Sequence, residues 1–213
     1  MLRKWILVLF TGLLFAAPVV AQQAYVEGVD YQRVDPAVKT SNPDKVVVTE
    51  IFWYGCPHCF RFEPFVEKWA ESLPDGVVFE QVPSSINPPW TVHARTYYAL
   101  KMMGAQEQLH KKLFEAIHVK RRRLQDLDAI AEFVAEQGLD AKEFRQLYAS
   151  FPVDSLVRKG KQKELSYGLE GVPTVIVNGK YRTSGVMAGN FDRLLKIINF
   201  LVADEMRTSS LSD

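Results

Sequence analysis

Trp53-Tyr54-Gly55-Cys56-Pro57-His58-Cys59-Phe60 holds both cysteines of this 213-residue chain and lies where a strand-like run gives way to a helical repeat. Ahead of it, Lys45 to Trp53 is a β-branched and aromatic run with the composition of a buried strand. Behind it, Cys59, Phe62, Val66, Trp69 and Leu73 recur at three- and four-residue steps, the stripe of a helix packed on a core. Pro57 then falls at the first helical position, where its missing N–H is no loss, and Cys56 falls at the helix N-terminus.

That placement decides the chemistry. Unpaired N–H groups and the macrodipole at a helix N-terminus stabilise a thiolate, the nucleophile of thiol–disulfide exchange, so Cys56 is the expected reactive sulfur. Cys59, one turn further and on the buried stripe, is the expected resolving thiol. His58 can add a donor or a positive charge toward Cys56, which favours the thiolate and makes the disulfide the less stable form. Competing uses of the two cysteines are weaker. Structural zinc wants four ligands, and His93, His110 and His118 lie far along the chain, in expected helices. Covalent haem attachment needs histidine directly after the second cysteine, where Phe60 stands. An inert structural disulfide remains as an alternative, against which the helix-terminal position argues.

Outward from this stretch, the N-terminus reads as an address. Arg3-Lys4 is a basic region, Trp5 to Phe15 an apolar one, and Val19-Val20-Ala21 offers small residues for cleavage, so residues 1–21 are expected to be a secretory signal peptide. Export implies an oxidising compartment, in which a dithiol can serve as an oxidant. Beyond residue 21 the chain carries 24 basic and 25 acidic residues, no electrostatic footprint for nucleic acid. The short run Lys120-Arg121-Arg122-Arg123 is expected to be a solvated helix end or loop.

The remaining elements follow in order. Tyr31 to Val34 is a weak strand candidate. Pro64 should kink the first helix, which turn residues Pro74-Asp75-Gly76 end. Val77 to Val82 then reads as a strand parallel to the first. From Trp90 to Tyr167 the periodicity is helical throughout: Thr91–Met103, Gln106–Val119, Asp126–Gln137, Asp140–Ser150 and Val153–Tyr167. Thr174 to Val177 and Lys180 to Thr183 flank Asn178-Gly179, a strong hairpin signal, and Asn190 caps a final helix. The tail from Thr208 to Asp213 is polar and expected to fray.

Together, the strand entering Cys-Pro-His-Cys, the helical stretch, Gly171-Val172-Pro173-Thr174 and the closing helix resemble the thioredoxin superfamily. Within it, the chain is most similar to the DsbA-type periplasmic thiol:disulfide oxidoreductases. The resemblance implies an α/β thioredoxin fold with an inserted all-helical domain: a first part over residues 22–85, the insertion over 86–167 and a second part over 168–213. It implies that Pro173 is a cis-proline whose loop faces the dithiol and pairs with substrate backbone, with Val172 before it tuning the redox site. It implies that Glu50 is a buried acid assisting proton transfer at Cys59, with Glu63 a second acid nearby. Read from the residues alone, Glu50 would be an outward-facing strand glutamate. Several relatives place lysine near that acid on the next strand; this chain has Gln81, and without a cation burial should raise the Glu50 pKa.

The activity so implied is donation of a Cys56–Cys59 disulfide to reduced, unfolded exported proteins in the periplasm, by a monomer with no metal or organic cofactor. Apolar surface near Trp53, Pro57 and the Pro173 loop would bind the substrate chain, and a quinone-linked membrane protein of the DsbB type would reoxidise the dithiol. The alternatives are an isomerase or reductase on the same fold, a holdase-like binding protein, and a glutathione-using enzyme on the related fold with the helical insertion.

Overall fold

Strand β2 (Val46–Phe52) is the axis of the molecule: all seven of its residues are buried. Its valines, threonine and isoleucine suit a pleated surface covered on both faces. It runs parallel to β3 (Val77–Pro83) and antiparallel to β4 (Thr174–Val177), in a five-stranded sheet of order β1-β5-β4-β2-β3 whose other members are β1 (Gln32–Arg33) and β5 (Tyr181–Ser184). The computed structural model describes residues 25–210, with side chains described through residue 208. The expected signal peptide over residues 1–21 and the last three residues of the tail lie outside the described residues.

The period-two alternation of β2 assigns each face its task. Val46 and Val48 pack with Phe62, Val66 and Trp69 of α1 (Pro57–Ala70) and with Leu194, Ile198 and Leu201 of α8 (Phe191–Ser210). Large apolar side chains buried this way stabilise by roughly 1.5–3 kcal/mol each, which makes this face the principal anchor of α1. Ile51 points the other way, into a smaller cluster with Val82, Tyr167 and Ile176. Glu50 shares the α1 face with Val48 and Phe52, so the strand period delivers a carboxyl group to the underside of the helix that starts at Cys56.

Five helices stand between β3 and β4: α2 (Pro88–Met102), α3 (Gln106–His118), α4 (Leu127–Glu136), α5 (Ala141–Tyr148) and α6 (Phe151–Tyr167). Asn87, Asp126, Asp140 and Ser150 cap four of them, each accepting from a backbone N–H of the first turn. Gly104 and Gly138 lie just past two of the ends with positive φ. The basic run falls in the loop after α3, where Arg122 pairs with Glu136. The hairpin between β4 and β5 turns at Asn178 (φ 50) and Gly179 (φ 67), both in the left-handed region the Asn-Gly pair was expected to supply.

Boundaries are corrected at three places. Helix α1, with buried Phe62, Val66 and Trp69 on either side of Pro64, ends at Ala70. It stops before Leu73: the Ser72 hydroxyl donates to the Trp69 carbonyl at 2.9 Å and closes the last turn. A one-turn helix, α7 (Gly185–Ala188), follows β5, started by the Ser184 hydroxyl accepting from Met187 N–H. Helix α8 extends through Thr208 to Ser210 rather than fraying there.

Candidate active site

Cys56 is the N-cap of α1, and its sulfur accepts from the Cys59 backbone N–H at 3.5 Å. Pro57 occupies the first helical turn and is exposed, as the sequence pattern required. Both cysteines are free thiols. The Cys59 thiol, donating to the Cys56 sulfur, together with the backbone N–H groups of Cys59 and His58, lowers the Cys56 pKa to about 6 against the opposing effect of burial. Cys59 is fully buried, and burial, followed by the neighbouring Cys56 sulfur and the Glu50 charge, drives its pKa well above the ordinary thiol value. Two identical groups one turn apart thus have opposite ionisation preferences.

His58 acts on Cys56 chiefly through its backbone N–H, with its ring charge the weakest contribution. Its imidazole is exposed, and Nδ1 lies 3.0 Å from the Arg61 guanidinium, which can only donate. Arg61 is a site neighbour that the sequence reading missed. The Val172–Pro173 peptide is cis, and the Cys56 thiol donates to the Val172 carbonyl at 3.4 Å, across 116 residues of sequence. Beside this loop opens a cleft of about 720 Å³ lined by His58, Phe65, Val172, Pro173, Met187 and Phe191, among others. Val186, also on the cleft, is 93% exposed. Trp53 does not line it. Its ring stacks on Trp90 with centroids 4.7 Å apart and folds over Gly55, where a Cβ would sit 2.2 Å from the indole.

Beneath the dithiol the polar groups form a chain. Glu50 is completely buried, and burial first, then the charges of Glu63 and Cys56, push its pKa up to about 8 despite a 2.9 Å hydrogen bond from the Gln81 amide. The same amide nitrogen reaches Glu63 Oε2 at 3.3 Å. Glu63 Oε1 lies 3.1 Å from His110 Nε2 but off hydrogen-bond alignment, and His110 Nδ1 meets the Tyr54 hydroxyl at 2.8 Å. His118 Nε2 contacts the Tyr54 carbonyl at 2.8 Å, and the His93 ring lies 5.9 Å from that of Trp53. The three histidines that are remote in sequence therefore surround the residues just ahead of Cys56. A signal for His110 did exist: it sits three and four residues before Leu113 and Phe114, a titratable side chain on an apolar stripe.

Among the described residues no cluster of histidine, cysteine and carboxylate side chains could hold a metal ion. A family model described as DSBA-like thioredoxin domain matches residues 90–199. The chain is 38% identical over 181 residues to the thiol:disulfide interchange protein DsbA of Pseudomonas aeruginosa, covering 85% of this chain and 86% of that protein. It is 37% identical over 178 residues to DsbA of Azotobacter vinelandii, covering 84% and 83%. The crystal structure of Pseudomonas aeruginosa DsbA superposes with a TM-score of 0.84 at 36% identity, covering 87% of this chain and 97% of that one.

Proposed function

The chain belongs to the DsbA-like thioredoxin-domain family and is a thiol:disulfide oxidoreductase, and on that premise we propose that it works by giving its Cys56–Cys59 disulfide to reduced proteins. A substrate thiolate attacks Cys56 Sγ, a substrate–Cys56 disulfide forms, and the electron pair of the old bond leaves on Cys59, which takes up a proton. A second substrate thiolate then attacks the substrate sulfur of that mixed disulfide, and Cys56 departs as a thiolate. Its pKa of about 6 makes it a good leaving group and stabilises the reduced enzyme, so the oxidised form is an oxidant.

The observation that carries this reading is the divergence of the two thiols, Cys56 stabilised as thiolate at the helix N-terminus and Cys59 buried as thiol. The cleft at Val172 and Pro173 supports a role in holding the substrate backbone beside Cys56, while the stacking of Trp53 on Trp90 supports a framing role for that residue. Glu50, buried and drawn to a pKa of about 8, is the proton donor to Cys59. The leader-like residues 1–21 support a periplasmic setting in which exported proteins are the substrates and a quinone-linked DsbB-type membrane protein restores the disulfide.

The test is single-turnover oxidation of a two-cysteine peptide by the oxidised protein. Given the disulfide form of the peptide instead, Cys59→Ser should accumulate a mixed disulfide, its Cys56 thiolate breaking the peptide disulfide and releasing one peptide thiolate with no Cys59 to resolve the bond. Cys56→Ser should neither oxidise the reduced peptide nor trap the oxidised one. Turnover by Cys56→Ser would end the proposal. A reduction potential below that of the glutathione couple would turn the oxidase into a reductase.

A further inference from the structure

The chain of contacts beneath Cys59 does not end at the buried acid. Glu50 and Glu63 share one amide nitrogen of Gln81, which can donate but carries no charge to offset two carboxylates. Beyond Glu63 opens a second cleft, of about 690 Å³, whose wall includes Glu63, Gln81, Tyr97, Gln106 and His110 but not Glu50. Its cations are engaged elsewhere among the described residues: Lys111 Nζ lies 2.6 Å from Glu67, and Lys101 Nζ stands over the Tyr97 ring at 5.9 Å. The titratable groups around His110 and its cleft are Tyr54 ahead of α1, Glu63 and Glu67 on α1, Glu71 just past its end, Glu80 on β3, Tyr97 and Lys101 on α2, and Glu107 and Lys111 on its own helix.

The geometry points to His110 as the positioning residue, acting through Glu63, by which the buried acid pair Glu50–Glu63 exchanges charge and protons with the water of this second cleft. Burial holds the Tyr54 phenol far above its ordinary pKa, so Tyr54 keeps its proton and donates to His110 Nδ1. That leaves the Nε2 proton facing Glu63. When the ring takes a second proton, Nδ1–H donates to the Tyr54 oxygen instead, while Nε2, which has no aligned hydrogen bond, keeps its proton 3.1 Å from Glu63 Oε1. The inference rests on the reading of Cys59 as the leaving thiol. As the Cys56–Cys59 bond breaks, Cys59 Sγ takes the proton of Glu50, which becomes a carboxylate. His110 then takes a proton from water, and its positive charge offsets the second carboxylate until Glu50 is reprotonated and His110 returns its own proton to the cleft.

The experiment is a titration of the His110 ring by NMR in the oxidised protein and in its Glu63→Gln variant, paired with the pH–rate profile of His110→Gln for peptide oxidation. Removing the Glu63 carboxylate, 3.1 Å from His110 Nε2, should lower the His110 midpoint by about half a pH unit or more. Because a charged His110 favours the Glu50 carboxylate, His110→Gln should raise the limb of the profile that belongs to Glu50. A histidine serving only to pack Tyr54 would move neither. Equal His110 midpoints in the two oxidised proteins, which require no variant at His110 to fold, would overturn the inference. Cys56→Ser separates the two claims: an inactive Cys56→Ser with no coupling leaves the dithiol reading intact and rejects His110, whereas an active Cys56→Ser rejects the dithiol reading itself.

Discussion

One turn of α1 separates Cys56 from Cys59 and exchanges an open helix terminus for a fully buried position, and the residue-scale predictions follow from that difference. Titrating the reduced protein and following thiolate absorbance should show one group with a midpoint near 6 and none other until well above 9. A single midpoint near 9 would mean that the helix terminus does nothing for Cys56. Glu50 gives a second prediction, of the opposite sign to an ordinary salt-bridged acid. Its folded pKa of about 8 lies above its ordinary 4.5, so the unfolded chain releases the proton first and stability falls as pH rises between those values. Glu50→Gln should therefore be on the order of 3–5 kcal/mol more stable than the parent at pH 9, and close to equal at pH 4, in urea unfolding. Equal stability at both pH values would show Glu50 ionising as freely as in water. The pairing of Cys56, Pro57 and Cys59 with a helix start was legible in the sequence because each acts through local backbone. The burial of Glu50 came only from the family resemblance, since the residues of a strand show which side each takes but not what covers that side.

At the scale of elements, two glycines carry more constraint than their neighbours reveal. Gly179, at φ 67 in the β4–β5 turn, packs so tightly under the β1 loop that a Cβ would lie 1.9 Å from the Val38 carbonyl oxygen. Gly179→Ala should cost about 2–4 kcal/mol in urea unfolding, against the roughly 1 kcal/mol of a turn strained by φ alone. A loss no larger than that would mean that the loop simply shifts away. Gly55→Ala would strike the Trp53 ring, so it should weaken the Trp53–Trp90 stack, read as a changed near-ultraviolet dichroism, and slow peptide oxidation. Unchanged dichroism would show the indole free to move. Three helices were legible down to their caps, because Asp126, Asp140 and Asn190 announce helix starts in any context, whereas the Asn87 and Ser150 caps lie ahead of the starts expected at Thr91 and Val153. The early end of α1 and the single turn of α7 were not, since each depends on one serine hydroxyl rather than on a repeated pattern.

For the whole molecule, the sheet and the inserted helices share their interior. Phe52 of β2 and Tyr54 beyond it belong to the same apolar cluster as Leu109, Phe114 and Ile130 of the helices. At the far side, Glu164 of α6 accepts from the Ser84 hydroxyl at 2.6 Å and the Ser85 N–H at 2.8 Å, tying α6 to the chain just past β3. Glu164→Ala would leave the buried Ser85 N–H unpaired, and should destabilise by about 2–4 kcal/mol while the unfolding transition stays single. Separate transitions for the sheet and the helices would show that the shared core does not couple them.

By itself the sequence determined the redox motif and its place on a helix, the strands and most helix boundaries, and the family, because each of these is written in neighbouring residues or in a period of two or 3.6. Only the tertiary structure decided that Gln81 bridges two acids, that Arg61 faces His58, that Trp53 stacks on Trp90, and that three histidines gather around Tyr54. The physical reason is the same in every case: these groups come from different elements, and the electrostatics of a buried charge is set by what packing brings beside it rather than by what precedes it in the chain.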